Sequence, residues 1–447
     1  MAKNHRLNKN ISKHILHRKS FSRFLRILGP GIVSGAADDD PSGVVTYSQA
    51  GARYGLGFLW AFPFMYPMLI AVQESCSRIG AVTGKGLASV IKDNFNKKLL
   101  FLAVLLVVVA NTINIGADLG AMASTTQLFI DLPFEFLAIF YAVLIMLMVI
   151  FVKYKKYARI LKWLAVSLLA YPIAVLLVEN NWLEVIKNTF TVIPVINGET
   201  VYIFVGIIGT TISPYLFFWD TSEVVEEEIS SHRLLISGGS PKISKRFLRN
   251  LRIDNFLGMT LSAFTGWFIV ILCASVLNSN NITNIDSAAD AARALEPLVS
   301  TFPYAGLIAK LIFSVGILGI GLLAVPILAG SSAYAISEVF GWKEGLYRKF
   351  NKAIGFYVVI IIATIIGLVI NFIGINPIQA LIFTAVFNGV AAVPLLWMIF
   401  KIGNDSNIMG QYKNGWLSKI FIFITILIMT VAVLALFYFI LTNSLTA

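Results

Sequence analysis

The feature that most restricts the fold of this chain is a series of long apolar segments. The stretches 134–152, 353–373 and 417–441 each run for about twenty residues with almost no charge. A helix needs roughly 20 predominantly apolar residues to cross a bilayer core, so these segments predict transmembrane helices. Only 13% of the 447 residues are charged, about half the usual share in soluble domains. We therefore expect an all-α membrane protein and not a soluble helical protein with a very apolar core.

The apolar pattern predicts about eleven such helices. They are expected near residues 26–53, 58–76, 99–124, 134–152, 160–178, 201–229, 253–277, 303–337, 353–373, 377–400 and 417–441. The chain is then a basic N-terminal segment (1–25), a membrane core of helices 1–5 and 6–10 (26–400), and a loop with an additional helix (401–447). The first 28 residues contain no apolar stretch before Ile27, so we do not expect a cleaved signal peptide.

The basic residues predict how the chain is oriented in the membrane. All but four of the 35 lysine and arginine residues fall in the N-terminal segment and in alternate loops; the exceptions are Arg53, Lys187, Arg293 and Lys310. Cytoplasmic loops carry such an excess, so we expect a multi-pass protein of the cell (inner) membrane with a cytoplasmic N-terminus and an external C-terminus. Because the charge is spread over six segments, the net charge of +12 does not indicate nucleic-acid binding. The expected partner is therefore the lipid bilayer, and the oligomeric state stays open.

Two of the predicted helices contain residues that interrupt a helix. The first carries Asp38-Asp39-Asp40-Pro41-Ser42-Gly43, and the sixth carries Gly209-Thr210-Thr211-Ile212-Ser213-Pro214. Proline removes a backbone donor and clashes with the preceding turn. Unwound backbone inside a membrane is tolerated only where it lines a cavity or is buried in protein. A carboxylate at that depth, such as Asp40, is costly and usually functional.

The two interrupted helices occupy equivalent places in two sets of five, helices 1–5 and 6–10. Because five is odd, the second set crosses the membrane in the opposite direction. Interrupted helices at matching positions in two inverted halves indicate the central site of a transporter. The alternative is that proline and glycine are simply common in membrane helices. The carboxylate at one break favours a cation as the transported solute.

The residues around the first break resemble the Nramp family of divalent-metal transporters. The run Gly29-Pro30-Gly31, then Asp40-Pro41-Ser42-Gly43, then Gln49-Ala50-Gly51-Ala52 is similar to that family's GPG, DPGN and QAGA segments at the same spacing. The sixth-helix run from Gly209 to Tyr215 is similar to the family's GATVMPH. The resemblance covers about residues 25–400 and implies a LeuT-type fold of five plus five helices in an inverted repeat. It also implies transport of divalent metal ions by alternating access.

The resemblance implies a metal site at Asp40, Gly43, Thr210 and Ser213. Family members bind metal through the Asp and Asn of DPGN and, in the sixth helix, an alanine carbonyl and a methionine sulfur. Here Asp40 is kept, Gly43 replaces the asparagine, Thr210 replaces the alanine and Ser213 replaces the methionine. The chain therefore resembles a divergent branch, similar to the Nramp-related magnesium transporters, which also lack the soft ligand.

The loss of the sulfur ligand changes the expected substrate. Thioether sulfur favours soft transition metals, whereas a serine hydroxyl is a hard oxygen donor. Mg²⁺ is usually bound through one or two carboxylates and retained water molecules. We expect transport of Mg²⁺ and Mn²⁺, with no resident cofactor; the alternative is a proton-coupled importer of Mn²⁺ or Fe²⁺ of the standard family type.

Proton coupling is uncertain from the sequence. His5, His14, His17 and His232 all fall in expected cytoplasmic segments, so the usual near-neutral proton carrier is missing from the core. Two histidines of the family's sixth helix are replaced by Tyr215 and Asp220. The remaining candidates for a proton or ion pathway are Asp118, Asp220, Tyr215, Asp39, Glu223 and Asn388. Structural alternatives stay open for several of them: hydrogen-bonded core carboxylates for Asp118 and Asp220, a polar contact between helices for Asn388, and a solvated helix end for Glu223.

The sequence disfavours two other functional classes, an intramembrane enzyme and a symporter for an organic solute. An intramembrane enzyme would need a histidine base or a zinc cluster in the membrane, and the sequence places neither there. A LeuT-type symporter for a small organic solute is a second alternative. Asp40 disfavours it, because a buried carboxylate would repel a solute that carries a carboxylate itself.

Overall fold

The computed structural model describes residues 30–152, 168–178, 180–191, 195–235, 239, 241–293 and 304–442. Within these ranges the chain is helical and contains no strand, which confirms the all-α prediction. The basic N-terminal segment and residues 160–167 of the predicted fifth helix, 160–178, lie outside the described residues.

Seventeen α-helices can be followed in the described part. They are α1 (Pro30–Asp38), α2 (Pro41–Tyr54), α3 (Ala61–Thr83), α4 (Leu87–Asn94), α5 (Lys97–Thr126), α6 (Phe134–Phe151), α7 (Ala170–Leu177), α8 (Trp182–Thr191), α9 (Gly198–Thr211), α10 (Pro214–Ser230), α11 (Lys245–Val276), α12 (Ala288–Arg293), α13 (Ala305–Phe340), α14 (Ile354–Ile370), α15 (Pro377–Asn404), α16 (Ser406–Met409) and α17 (Trp416–Leu441).

The first predicted helix is interrupted where the sequence indicates. Helix α1 ends at Asp38 and α2 begins at Pro41, with Asp40 as the N-cap residue in extended conformation at φ −62° and ψ 172°. The Asp40 side chain accepts a hydrogen bond from the backbone N–H of Gly43. Aspartate is a preferred N-cap and proline a preferred first residue of a helix. The sequence therefore starts a new helix at this point instead of continuing the old one.

The sixth predicted helix is interrupted in the same way. Helix α9 ends at Thr211 and α10 begins at Pro214, so Ile212 and Ser213 separate them. Ser213 is the extended N-cap residue at φ −76° and ψ 126°. Both predicted breaks are confirmed.

Eight helices of the described part are long and apolar enough to cross a membrane. A ninth is added if Pro41–Phe58 and Ala61–Thr83, which meet at a bend of 112°, are counted as one span. The difference from the eleven predicted spans has two causes. The break leaves α1 and α2 with only 9 and 14 residues, and the described part of the predicted fifth span holds only the eight-residue helix α7.

The outer helices present apolar side chains to their surroundings. Phe136 and Phe151 on α6, Ile362 on α14, and Leu427 and Leu434 on α17 are all exposed. Continuous apolar exposure of this kind is expected where a helix faces lipid. In contrast, the residues of α2 from Pro41 to Ala52 are buried, which places the first break inside the protein.

Candidate functional site

The Asp40 carboxylate lies inside the protein at the first break, with 1% of the residue exposed. Its Oδ1 accepts hydrogen bonds from the Ser42 hydroxyl at 2.5 Å and from the Gly43 backbone N–H at 2.9 Å. Its Oδ2 accepts a hydrogen bond from Asn114 Nδ2 of α5 at 2.8 Å. All three donors are neutral, so they orient the carboxylate without supplying positive charge.

The second break meets the first one at Thr210. The hydroxyls of Ser42 and Thr210 lie 3.5 Å apart. A Cβ atom added to Gly43 would lie 2.9 Å from Thr210 Oγ1, so the two segments approach each other closely where glycine has no side chain. The Ser213 hydroxyl donates to the Thr210 carbonyl at 2.5 Å. The structure thus brings Asp40, Gly43 and Thr210 together directly, and Ser213 joins them through Thr210.

Two further aspartates lie at the same break. Asp38 and Asp39 are both fully buried. The Ser262 hydroxyl of α11 is within hydrogen-bond distance of both, at 2.7 Å from Asp38 Oδ2 and 3.2 Å from Asp39 Oδ1. Asp39 therefore faces α11 inside the protein and not a water-filled entrance. Ser262 was not predicted, because a single serine in an apolar helix carries no distinguishing signal.

The candidate pathway residues occupy different parts of the core. Asp118 on α5 is fully buried, and neither of its carboxylate oxygens has a hydrogen-bond partner among the described residues. The side-chain amide of Asn388 on α15 is likewise buried and unpartnered in the described part of the chain. Tyr215 donates its hydroxyl to the Ala37 carbonyl at 2.6 Å, which ties α10 to α1. Asp220 on α10 accepts a hydrogen bond from Ser34. Ser34 lies within α1, before the break, so Asp220 contacts α1 and not the break itself.

The acidic end of α10 is not solvated. Glu223 is 2% exposed and Glu228 is fully buried. Glu226 is also buried and accepts hydrogen bonds from the Tyr334 hydroxyl and from the Leu346 backbone N–H. The interpretation of Glu223 as part of a solvated helix end is therefore wrong. Hydrophobic pattern alone could not show this, because the elements that cover these carboxylates lie more than 100 residues away along the chain.

The buried carboxylates at the breaks are not neutralised by basic side chains of the described residues. The ion pairs found there join Arg53–Glu199, Arg78–Glu74, Lys85–Asp93, Arg252–Glu74 and Arg293–Asp290. None of these involves Asp38, Asp39, Asp40, Asp118 or Asp220. Because burying an uncompensated charge is costly, an ionised carboxylate at any of these positions would need a cation beside it.

The side chains do not form a ready-made metal cage. No group of three or more histidine, cysteine, aspartate or glutamate side chains in the described ranges is arranged to hold a metal ion. Backbone carbonyls, hydroxyls and amides outnumber carboxylates around Asp40.

Known proteins resemble this chain over almost its whole length. The sequence profile described as "Nramp: Natural resistance-associated macrophage protein-like" matches residues 31–439. The divalent metal cation transporter MntH of Clostridium acetobutylicum is 26% identical, over 92% of this chain and 90% of the relative. The MntH of Bacillus subtilis is 24% identical over 93% of this chain and 92% of the relative.

Solved structures show the same fold. The crystal structure of the Eremococcus coleocola manganese transporter, in complex with an aromatic bis-isothiourea substituted compound, has a TM-score of 0.72 at 17% identity. That alignment covers 93% of this chain and 87% of the other. Mhp1, a nucleobase-cation-symport-1 family transporter, has a TM-score of 0.57 at 12% identity and covers 92% of each chain. The LeuT-type arrangement that the family resemblance implies is thereby confirmed.

The relatives also exclude the enzyme alternative, since they are transporters. The predicted resemblance is confirmed by a profile that spans both breaks, α5 and α15. Helix length, apolar outer faces and the two interrupted helices agree with it. This chain is a multi-pass membrane protein that belongs to the Nramp (natural resistance-associated macrophage protein-like) family.

Proposed function

We propose that this protein moves divalent metal cations across the membrane by alternating access, with Asp40 as the central ligand. The observation that carries the proposal is a buried carboxylate at the junction of two interrupted helices, held only by neutral donors. The names of the relatives, divalent metal cation transporter and manganese transporter, support the same substrate class.

The donor set around Asp40 favours hard cations. The carboxylate, the Thr210 carbonyl and the hydroxyls of Ser42 and Ser213 are all oxygen donors. Oxygen donors suit Mg²⁺ and Mn²⁺, whereas soft sulfur donors favour other transition metals. We therefore propose Mg²⁺ and Mn²⁺ as substrates. A preference for Cd²⁺ or Fe²⁺ over Mg²⁺ would instead support an importer of the standard family type.

The site also bears on the energy source for uptake. With the N-terminus in the cytoplasm, an inside-negative potential supplies about 2.3 kcal/mol per charge per 100 mV, and a divalent ion gains about twice that. Uptake driven in this way needs no proton. Asp118 and Asp220 are buried and remain the candidates for a proton pathway if uptake acidifies the vesicle.

A symporter for an organic solute is the second candidate. Its support is the fold shared with Mhp1, whose structure holds bromovinylhydantoin. Fold alone does not determine the substrate. Three consecutive buried aspartates at the break favour a cation over such a solute.

The test is ion uptake into proteoliposomes that hold an inside-negative potential. We expect the wild-type protein to take up Mn²⁺ and Mg²⁺, and Asp40→Asn to lose that uptake. Asp131→Asn is the matched control, because Asp131 is exposed in the loop between α5 and α6 and should leave uptake unchanged. A pH dye inside the vesicles separates passive from proton-coupled entry. Undiminished uptake by Asp40→Asn would defeat the proposal.

A further inference from the structure

The side chain of Asn114 on α5 is the one group from another helix that contacts the Asp40 carboxylate in the described part of the chain. Asn114 is fully buried, and its Nδ2 donates to Asp40 Oδ2 at 2.8 Å. Its other end is also engaged: Oδ1 lies 2.9 Å from the hydroxyl of Thr384 on α15. The amide therefore sits between the first break and α15.

The segment that carries Asp40 has little room to offer a further side-chain ligand. A Cβ atom at Gly43 would already lie 2.9 Å from Thr210 Oγ1, which is too close without a local shift. The Ser42 hydroxyl is committed to Asp40 Oδ1 at 2.5 Å. Beyond the oxygen donors of the two breaks, an ion at Asp40 can gain a ligand from another helix, and Asn114 of α5 already reaches the carboxylate.

The amide can exchange its donor face for its acceptor face toward Asp40 and still keep a hydrogen bond to Thr384. An ionised carboxylate only accepts hydrogen bonds, so the Asn114 NH₂ group faces Asp40 when no cation is present. A cation at Asp40 would repel that NH₂ group and attract the amide oxygen. Thr384 permits this rotation of the Asn114 amide, because the Thr384 hydroxyl also lies 2.8 Å from the Leu381 carbonyl. With its single proton donated to Leu381, Thr384 can accept a hydrogen bond from the turned NH₂ group.

We propose that Asn114 is a ligand of the transported cation, and that its amide turns over so that Oδ1 binds the ion beside Asp40. Thr384 is a positioning residue that holds the amide in either orientation. An amide oxygen is a hard donor and suits Mg²⁺ and Mn²⁺. This inference rests on the proposed function, because it assigns a second protein ligand to the same site.

The test is calorimetric titration of the purified protein with MnCl₂, using two substitutions that separate a ligand from a simple hydrogen-bond donor. Asn114→Leu keeps much of the volume but removes the oxygen, and it should weaken Mn²⁺ binding by about tenfold or more, the scale found for groups around metal sites. Asn114→Asp cannot donate to Asp40 but offers a carboxylate oxygen, so it should bind Mn²⁺ at least as tightly as the wild type. If Asn114→Asp loses binding as Asn114→Leu does, the amide acts only as a donor and the inference is overturned.

The matched control is Asn111→Leu. Asn111 is a fully buried amide on the same helix, but it donates to Leu328, Ser331 and Ser332 of α13 and does not touch Asp40. Both serine hydroxyls also reach the Leu328 carbonyl, so they keep a partner when the amide is removed. Asn111→Leu should therefore bind Mn²⁺ with unchanged affinity. A loss equal to that of Asn114→Leu would show a general effect of removing a buried amide and would overturn the inference.

Two further measurements keep the inference testable if Asn114→Leu does not fold. Thr384→Val leaves the turned NH₂ group without its acceptor and should weaken Mn²⁺ binding several-fold. Asn114→Asp should still bind. Unchanged affinity in Thr384→Val, or lost affinity in Asn114→Asp, would then overturn it.

The same titration distinguishes this inference from the proposed function. Absence of Mn²⁺ binding and Mn²⁺ uptake by the wild-type protein would defeat the proposed function itself. If binding requires Asp40 but is unaffected by Asn114→Leu, the function stands and only the role of Asn114 fails.

Discussion

The Asp40 carboxylate is the residue on which the chemistry depends. It is 1% exposed, and the groups that hold it are the neutral side chains of Ser42 and Asn114 and the backbone of Gly43. A buried charge without a charged partner costs several kcal/mol. In the proposed function, a cation that binds there removes this cost, so binding would stabilise the protein and release of the ion would restore the cost.

Ser213 gives a prediction about selectivity at the residue scale. It is 1% exposed, and its hydroxyl donates to the Thr210 carbonyl. Ser213→Cys replaces a hard oxygen with a soft sulfur of similar size, so we expect the ratio of Cd²⁺ to Mg²⁺ uptake to rise about tenfold, equivalent to ~1.4 kcal/mol. Competitive uptake in proteoliposomes measures the ratio. Ser332→Cys, a buried serine on α13 that bonds to the Leu328 carbonyl, is the control, and an equal rise there would contradict the assignment of Ser213.

At the scale of elements, the close packing of α1 against α11 positions the first break. The Gly31 N–H donates to Asp254 Oδ2 at 2.7 Å, and Ser262 contacts the aspartates at the other end of α1. A Cβ atom at Gly35 would overlap the backbone of Gly258. Small residues allow membrane helices to approach this closely.

Gly35 therefore provides a prediction about packing. Gly35→Ala should push α1 away from α11 and destabilise the protein by about 1–3 kcal/mol, the usual cost of overpacking. A thermal-stability assay of the purified protein measures the effect. Gly316→Ala on α13 is the control, because a Cβ there would meet no atom within 4 Å. Equal melting temperatures for the two variants would show that the α1–α11 contact is less tight than described.

Local signals in the sequence predicted the two breaks, because proline and an N-cap residue act within one turn of the chain. Asp40-Pro41 and Ser213-Pro214 each start a new helix where they stand. The partners of Asp40 and Asp38 were not predictable in this way. Asn114 lies 74 residues from Asp40 along the chain, and Ser262 lies 224 residues from Asp38.

At the scale of the whole molecule, contacts tie the helices together on both sides of the site. On one side, Arg53 at the end of α2 pairs with Glu199 at the start of α9 and donates to Asn284. On the other side, Glu338 of α13 accepts from Ser222 of α10 and from the backbone N–H of Ser89 in α4. An alternating-access cycle must release these two sets of contacts in turn.

The orientation of the molecule is itself testable, because the native cysteines Cys76 and Cys273 are buried and should stay silent. We expect Asn280→Cys, which follows α11, to react with a membrane-impermeant maleimide on intact cells. Lys242→Cys, which precedes α11, should react only after the membrane is opened. Both positions are exposed, so the two cysteines are matched in accessibility. The reverse pattern would place the N-terminus outside and contradict the orientation that the basic residues predict.

The most direct measurement is the position of Mn²⁺ in crystals soaked with the ion, located by its anomalous scattering. The account predicts one ion beside the Asp40 carboxylate, within direct or one-water reach, between residues 39–43 and 210–213. The peak should disappear in Asp40→Asn. A bound ion elsewhere in a protein that still transports Mn²⁺, with no peak at Asp40, would contradict it.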